Sequence, residues 1–246
     1  NYLHDIIPVD LMADSMASIQ GKAVNKEFNM TSLTLSARTA SAAASASTAC
    51  AVVPVFAKGS LTPAAEQLDK LTSGSISNAL KLGDFSAKPG QTLLLPGAAK
   101  VRRILLVGCG NAKKFNRATA RQFVDSLSGA VNRTLAKDTI VHAADLTVSD
   151  GDSRWLLDCI GKGITASQYH YTRTLSKPKD GPNLKKVMVS HSSDINTKTA
   201  QKALEKGGAT GSGMNTAREL ANLPGNICTP LYLADQARQL AKATPK

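Results

Sequence analysis

The stretch RRILLVGCG (102–110), with NRATARQFVDSLSGAVNRTL (116–135) after it, decides the fold class. Ile104, Leu105, Leu106 and Val107 form an unbroken apolar run, the pattern of a strand buried on both faces. Gly108-Cys109-Gly110 then ends the strand in a tight turn. In the second part Ala120, Phe123, Val124, Leu127 and Val131 recur at helical spacing and form one apolar face. A buried strand that feeds an amphipathic helix is the repeating element of an α/β layer fold.

The same alternation extends on both sides. CAVVPVF (50–56), QTLLLP (91–96), TIVHAADL (139–146) and LKKVMVSH (184–191) read as further strands. Thr62-Pro63 caps a helix over PAAEQLDKL, and SISNALKLG continues it to a glycine stop at Gly83. A helix is expected over 153–169, and a long one over 197–223, weakened by Gly207, Gly208, Gly211 and Gly213. The segment SARTASAAASASTA (36–49) is Ala/Ser low complexity and is expected as a surface loop between two strands. Val52, Val53, Val55, Leu93, Leu94, Ile104, Leu105, Leu106, Val107, Ile140 and Val141 are the expected sheet core. The sheet is expected to be mixed and largely parallel.

The chain has 246 residues, 42% hydrophobic and only 4% aromatic, so aliphatic side chains must fill the core. No apolar run reaches the roughly 18 residues of a membrane span, and the first residues lack the basic and apolar regions of a secretion signal. The four cysteines (Cys50, Cys109, Cys159 and Cys228) are scattered without a CxxC pair, which argues for reduced thiols and a cytoplasmic setting. Net charge is +12, yet Asp5, Asp10, Asp14 and Glu27 outweigh Lys22 and Lys26 near the start. Residues 1–29 are therefore read as a leader or extension foreign to the domain that follows.

The segment ARELANLPGNICTPLYLA (217–234) is a helix, a break and a second helix start. Pro224-Gly225-Asn226 stops the first helix, and Thr229-Pro230 caps the second. Together with LTPAAEQLDKLTSGSISNALKLGDFSAKPGQTLLLP (61–96) and RRILLVGCG, this segment resembles the amino-terminal domain and linker of leucyl aminopeptidases, peptidase family M17. The likeness spans about residues 50–240, more loosely over 138–200. Gly225 stands where many members have a second proline. The resemblance implies a macrodomain-like α/β/α sandwich over 30–193, a linker helix over 194–226, and the start of a carboxy-terminal catalytic domain over 227–246. It further implies a cytosolic parent enzyme that removes amino-terminal residues from peptides, assembled as a hexamer. Two zinc or manganese ions would sit in the catalytic domain, held by a Val-Gly-Lys-Gly-x-Thr-Phe-Asp-Ser-Gly-Gly stretch and an Asn-Thr-Asp-Ala-Glu-Gly-Arg-Leu stretch. Neither stretch occurs in this chain. No catalytic residue, metal ligand or cofactor is therefore assigned within it, and its expected partners are its own catalytic domain and further copies.

Gly161-Lys162-Gly163-Ile164-Thr165 copies the first half of the lysine stretch but continues Ala-Ser-Gln-Tyr-His, and is read as part of a helix. Gly108 and Gly110 begin a GxGxxG pattern that fails at Lys113. Cys109 is read as a buried structural thiol. His4, His142, His170 and His191 are too dispersed to suggest a ligand set. One constellation has positive content. Residues 85–124 carry eight Lys or Arg and no acid, and Lys113, Lys114, Arg117 and Arg121 gather at one helix start. They are the candidate nucleic-acid contacts, acting through phosphates. A DNA-binding or regulatory module is accordingly the alternative reading, with a macrodomain-like ADP-ribose binder, by fold analogy alone, behind it.

Overall fold

The computed structural model describes residues 33–57 and 61–243; the leader expected over 1–29 lies outside them. Six strands form one sheet: β1 (Thr34–Thr39), β2 (Ala51–Phe56), β3 (Thr92–Pro96), β4 (Arg103–Gly110), β5 (Asp138–Val141) and β6 (Lys186–His191). Their spatial order is β1-β6-β5-β2-β4-β3. Every neighbouring pair is parallel except β3 with β4, so an antiparallel strand closes one edge.

The helices are α1 (Ala40–Ser45), α2 (Pro63–Leu71), α3 (Ser75–Leu82), α4 (Arg117–Arg133), α5 (Ser153–Ala166), α6 (Thr197–Asn222) and α7 (Pro230–Ala243). Strand alternation sorts the core into two halves. Val52, Leu105, Val107, Val141, Val187 and Val189 point to the side covered by α4, α5 and α6. Ala51, Val53, Val55, Ile104 and Leu106 point to the other side, where α2 and α3 cover them. Helices on both faces of a mixed, largely parallel sheet are the expected α/β/α sandwich, and α6 is the expected long helix that follows it.

Several local expectations are corrected. Residues 36–49 are not a loop: 34–39 pair with β6 in parallel and 40–45 form α1. Small side chains suit this site, because Ala37 is fully buried against the sheet's neighbours. Gln201 of α6 satisfies the free edge of β1, accepting from Ala37 N at 2.7 Å and donating to Leu35 O at 3.1 Å. Leu94 is exposed, because β3 is an edge strand; Leu93 and Leu95 pack on the α2–α3 side instead. The helix expected over 63–83 is two helices. Ser73 and Gly74 take left-handed φ of 53° and 84° between them, and Asp69 accepts from Ile76 N and Ser77 N to cap the second. Strand β5 ends at Val141, and α5 ends at Ala166 rather than residue 169.

Candidate functional site

The start of α4 is built by short-range capping. Asn111 accepts from Lys113 N at 3.0 Å and sets a single turn of 3-10 helix over Ala112–Lys114. Phe115 then plunges into the core, edge-on to Phe56 and Phe123. Asn116 caps α4 by accepting from Ala118 N and Thr119 N, and the Thr119 hydroxyl accepts in return from Asn116 N. Arg117 N donates to Asp150 at 2.6 Å. The first amides of α4 are thus all engaged, and any anion held here must be held by side chains.

Lys113, Lys114, Arg117 and Arg121 are all exposed at this corner, as the spacing predicts. Among the described residues none of the four forms an ion pair within 4.0 Å. Arg117 and Arg121, one turn apart, both lie over the indole of Trp155 on α5, at 5.1 and 5.6 Å from its centroid. Lys113 and Lys114 project from the preceding turn. The fold also brings in acids that the run 85–124 lacks. Asp152 caps α5 by accepting from Trp155 N at 2.8 Å and pairs with Arg154 at 2.9 Å. Those two hydrogen bonds, with Arg117's charge behind them, hold the Asp152 carboxyl below its ordinary range. Trp155 and Asp150 are neighbours of this corner that sequence spacing misses, since they arrive from a helix and a loop far along the chain.

The remaining candidates resolve as structure. Gly108 and Gly110 let β4 leave the sheet under the loop before β3. A Cβ on Gly108 would come 2.1 Å from Lys88 O, and Gly110 has a φ of 69°. Cys109 is buried, and burial pushes its thiol up to about 12, far from thiolate chemistry at neutral pH. Gly161 and Gly163 lie within α5, where a Cβ would meet Leu204 O at 2.3 Å and Val124 Cγ1 at 2.3 Å. Their role is close helix packing, so the likeness to half a lysine motif is coincidental. His142 is buried behind β5, and His191 holds Ser192 O and Thr197 Oγ1. His170 bonds Lys179 O, and His4 lies outside the described residues. Among the described residues no group of three or more His, Cys, Asp or Glu is placed to hold a metal ion, and no helix is long and apolar enough to cross a membrane.

The far end of α6 is tied down by polar contacts. Tyr169 donates to Glu219 at 3.2 Å and accepts from Asn222 at 2.8 Å. Arg173 lies 3.8 Å from Glu219 and donates to the Tyr232 hydroxyl of α7 at 2.8 Å. Thr229 caps α7, accepting from Tyr232 N at 3.3 Å with Pro230 as the first helical residue, as the sequence predicts.

Known proteins share both the sequence and this architecture. A probable cytosol aminopeptidase of Alkalilimnicola ehrlichii is 38% identical over 203 residues, which is 81% of this chain and 41% of that protein. One from Shewanella denitrificans is 34% identical over 201 residues, or 80% of this chain and 40% of its own length. The chain therefore spans well under half the length of the relatives it matches. A mutant of tomato leucine aminopeptidase has the same fold, with a TM-score of 0.70 at 22% identity over 89% of this chain and 44% of that one. The profile described as the cytosol aminopeptidase family, N-terminal domain, matches residues 52–178, from β2 to beyond α5. The chain belongs to the cytosol aminopeptidase family and carries that family's amino-terminal domain.

Proposed function

We propose that this chain is the amino-terminal domain and linker helix of a metal-dependent leucyl aminopeptidase, a cytoplasmic enzyme that removes amino-terminal residues from peptides. The observation that carries the reading is the order of parts: the family domain, then α6, then a capped restart into α7. Leu231 and Leu233 of α7 are exposed apolar side chains, surface for a following catalytic domain to cover. Two divalent metals would act there, on side chains supplied by that domain, activating water and polarising the scissile carbonyl. Among the described residues no group of three or more His, Cys, Asp or Glu is placed to hold such a metal, and the part proposed for this domain is assembly into a hexamer, substrate access or regulation. The 246-residue chain should not hydrolyse leucine p-nitroanilide with added manganese or zinc, whereas the chain joined to a catalytic domain of its family should. Metal-dependent turnover by the pure chain would overturn the reading.

The exposed cations at the start of α4 favour a second reading, nucleic-acid binding through phosphates. Nothing in the corner resembles a base-reading element, so affinity should fall with salt and be indifferent to sequence. The double variant Arg117→Glu/Arg121→Glu should abolish a gel shift seen with the parent chain. An unchanged shift would remove the corner from consideration.

A further inference from the structure

Helices α2 and α3 cover only the β2-β4-β3 half of their face of the sheet. In the other half, among the described residues, a groove of about 690 Å³ lies at the amino-terminal ends of the strands. Parallel register builds its floor. Ser36, Met188 and Ile140 form one row across β1, β6 and β5, and Thr34, Lys186 and Asp138 form the next. Its walls come from residues 47–49, from Arg102 and Arg103 at the start of β4, and from the turn that carries Lys137.

Charge sets this groove apart. Arg102, Arg103, Lys137 and Lys186 all line it, all are exposed, and among the described residues none is in an ion pair. The one acid in the lining, Asp138, is already engaged, accepting from Thr48 Oγ1 at 2.9 Å and Ala49 N at 2.9 Å. Four like charges gathered around one concavity repel one another and focus a positive potential into it, which an anion would relieve. Hydroxyls of Thr34 and Ser36 add hydrogen-bonding groups, while half-buried Met188, beside the buried Ile140, gives a small apolar patch on the same floor. The volume lies in the range of small-molecule sites, roughly 300–1,000 Å³. By contrast, the cations of the α4 corner stand on an open surface, beside Asp150 and Asp152.

We propose that this groove binds a small phosphate-rich anion, its oligophosphate held by Arg102, Arg103, Lys137 and Lys186. The apolar patch suits the body of a nucleotide; inorganic polyphosphate would use the cations alone. The site rests on the groove and stands whether or not the aminopeptidase reading holds.

Calorimetric titration of the chain with ATP, tripolyphosphate and adenosine, at low and at higher salt, tests it. ATP should bind saturably and more weakly as salt rises, and adenosine should not bind. The double variant Lys137→Glu/Lys186→Glu should weaken ATP by at least about tenfold with an unchanged melting temperature, because the side chains are exposed. The variant Lys113→Glu/Lys114→Glu should stay within about twofold of the parent. ATP binding more tightly than tripolyphosphate supports a nucleotide, and equal affinity supports inorganic polyphosphate. Arg102→Gln, which removes one exposed charge, supplies the same comparison if the double variant does not fold. The proposal is overturned if neither phosphate compound binds, if adenosine binds as well as ATP, or if only the Lys113/Lys114 variant loses affinity.

Discussion

His142 follows β5, donates its backbone N–H to Val52 O at 3.0 Å, and is 6% exposed. Burial penalises its charged form and lowers its pKa from 6.5 to about 4. An unfolded chain therefore takes up a proton between those values that the folded chain refuses. Stability from this residue is full above pH 6.5 and is lost as pH falls through the window to about 4. Between pH 7 and pH 4.5 the loss should be roughly 2–3 kcal/mol. Urea midpoints at the two pH values would measure it, and His142→Gln should flatten the difference. Burial also pushes the Asp145 carboxyl upward, which acts with the opposite sign; comparing parent with variant isolates the histidine. The sequence offers His142 only as one of four scattered histidines. Its proton affinity is a property of the packing around it.

The crossing of α5 and α6 shows what an element can hide in a sequence. Four glycines in α6 read as weak points, because glycine costs about 1 kcal/mol in a helix relative to alanine. In the fold three of them are contacts. A Cβ on Gly207 would come 2.0 Å from Asp158 O, one on Gly208 2.8 Å from Leu35 Cδ1, and one on Gly211 2.7 Å from Lys162 O. Gly161 of α5 answers from the other side, against Leu204 O. The two backbones touch where side chains would normally separate them. Gly213 is different, with nothing within 4 Å of its Cβ position. The two sites should therefore respond oppositely to alanine. Gly207→Ala should destabilise by about 1–3 kcal/mol, since the obstacle is backbone and the helices must part. Gly213→Ala should stabilise by about 0.5–1 kcal/mol through helix propensity and chain entropy. Chemical denaturation of both variants checks the pair, and like signs would contradict the assigned crossing.

Across the whole molecule, Arg173 joins three parts: the loop after α5, Glu219 of α6 and Tyr232 of α7. The Arg173 and Glu219 side chains are only 19% and 13% exposed, so solvent does little to replace the contact. Arg173→Ala should cost about 1–3 kcal/mol by leaving a shielded carboxylate short of a partner. The loss should be local. Amide exchange should speed up over 229–243 and stay slow in β2 and β4. Arg173→Lys should restore charge without the geometry that reaches both partners, and so recover only part of the protection.

Strands β2, β4 and β6, the amphipathic face of α4, and the capped break between α6 and α7 are all legible in the chain. Each rests on a local cause: an apolar run, a helical period, or proline and glycine at positions that stop or start a helix. The family likeness is carried by the same local segments. The first strand was not legible, because an Ala/Ser stretch has no pattern of its own and becomes β1 only when β6 and Gln201 satisfy its backbone. The exposure of Leu94 follows from β3 taking an edge, which no residue within QTLLLP specifies. The basic corner was legible as four cations, but not Trp155 beneath its arginines or Asp150 and Asp152 beside them. The groove's cations come from three separate segments and meet only because β4, β5 and β6 start at the same end of one sheet. Local sequence sets which segments can be strands or helices, because backbone and side-chain preferences act over a few residues. Which charges become neighbours, and which glycines become contacts, depends on pairing between distant segments, and only the tertiary structure decides it.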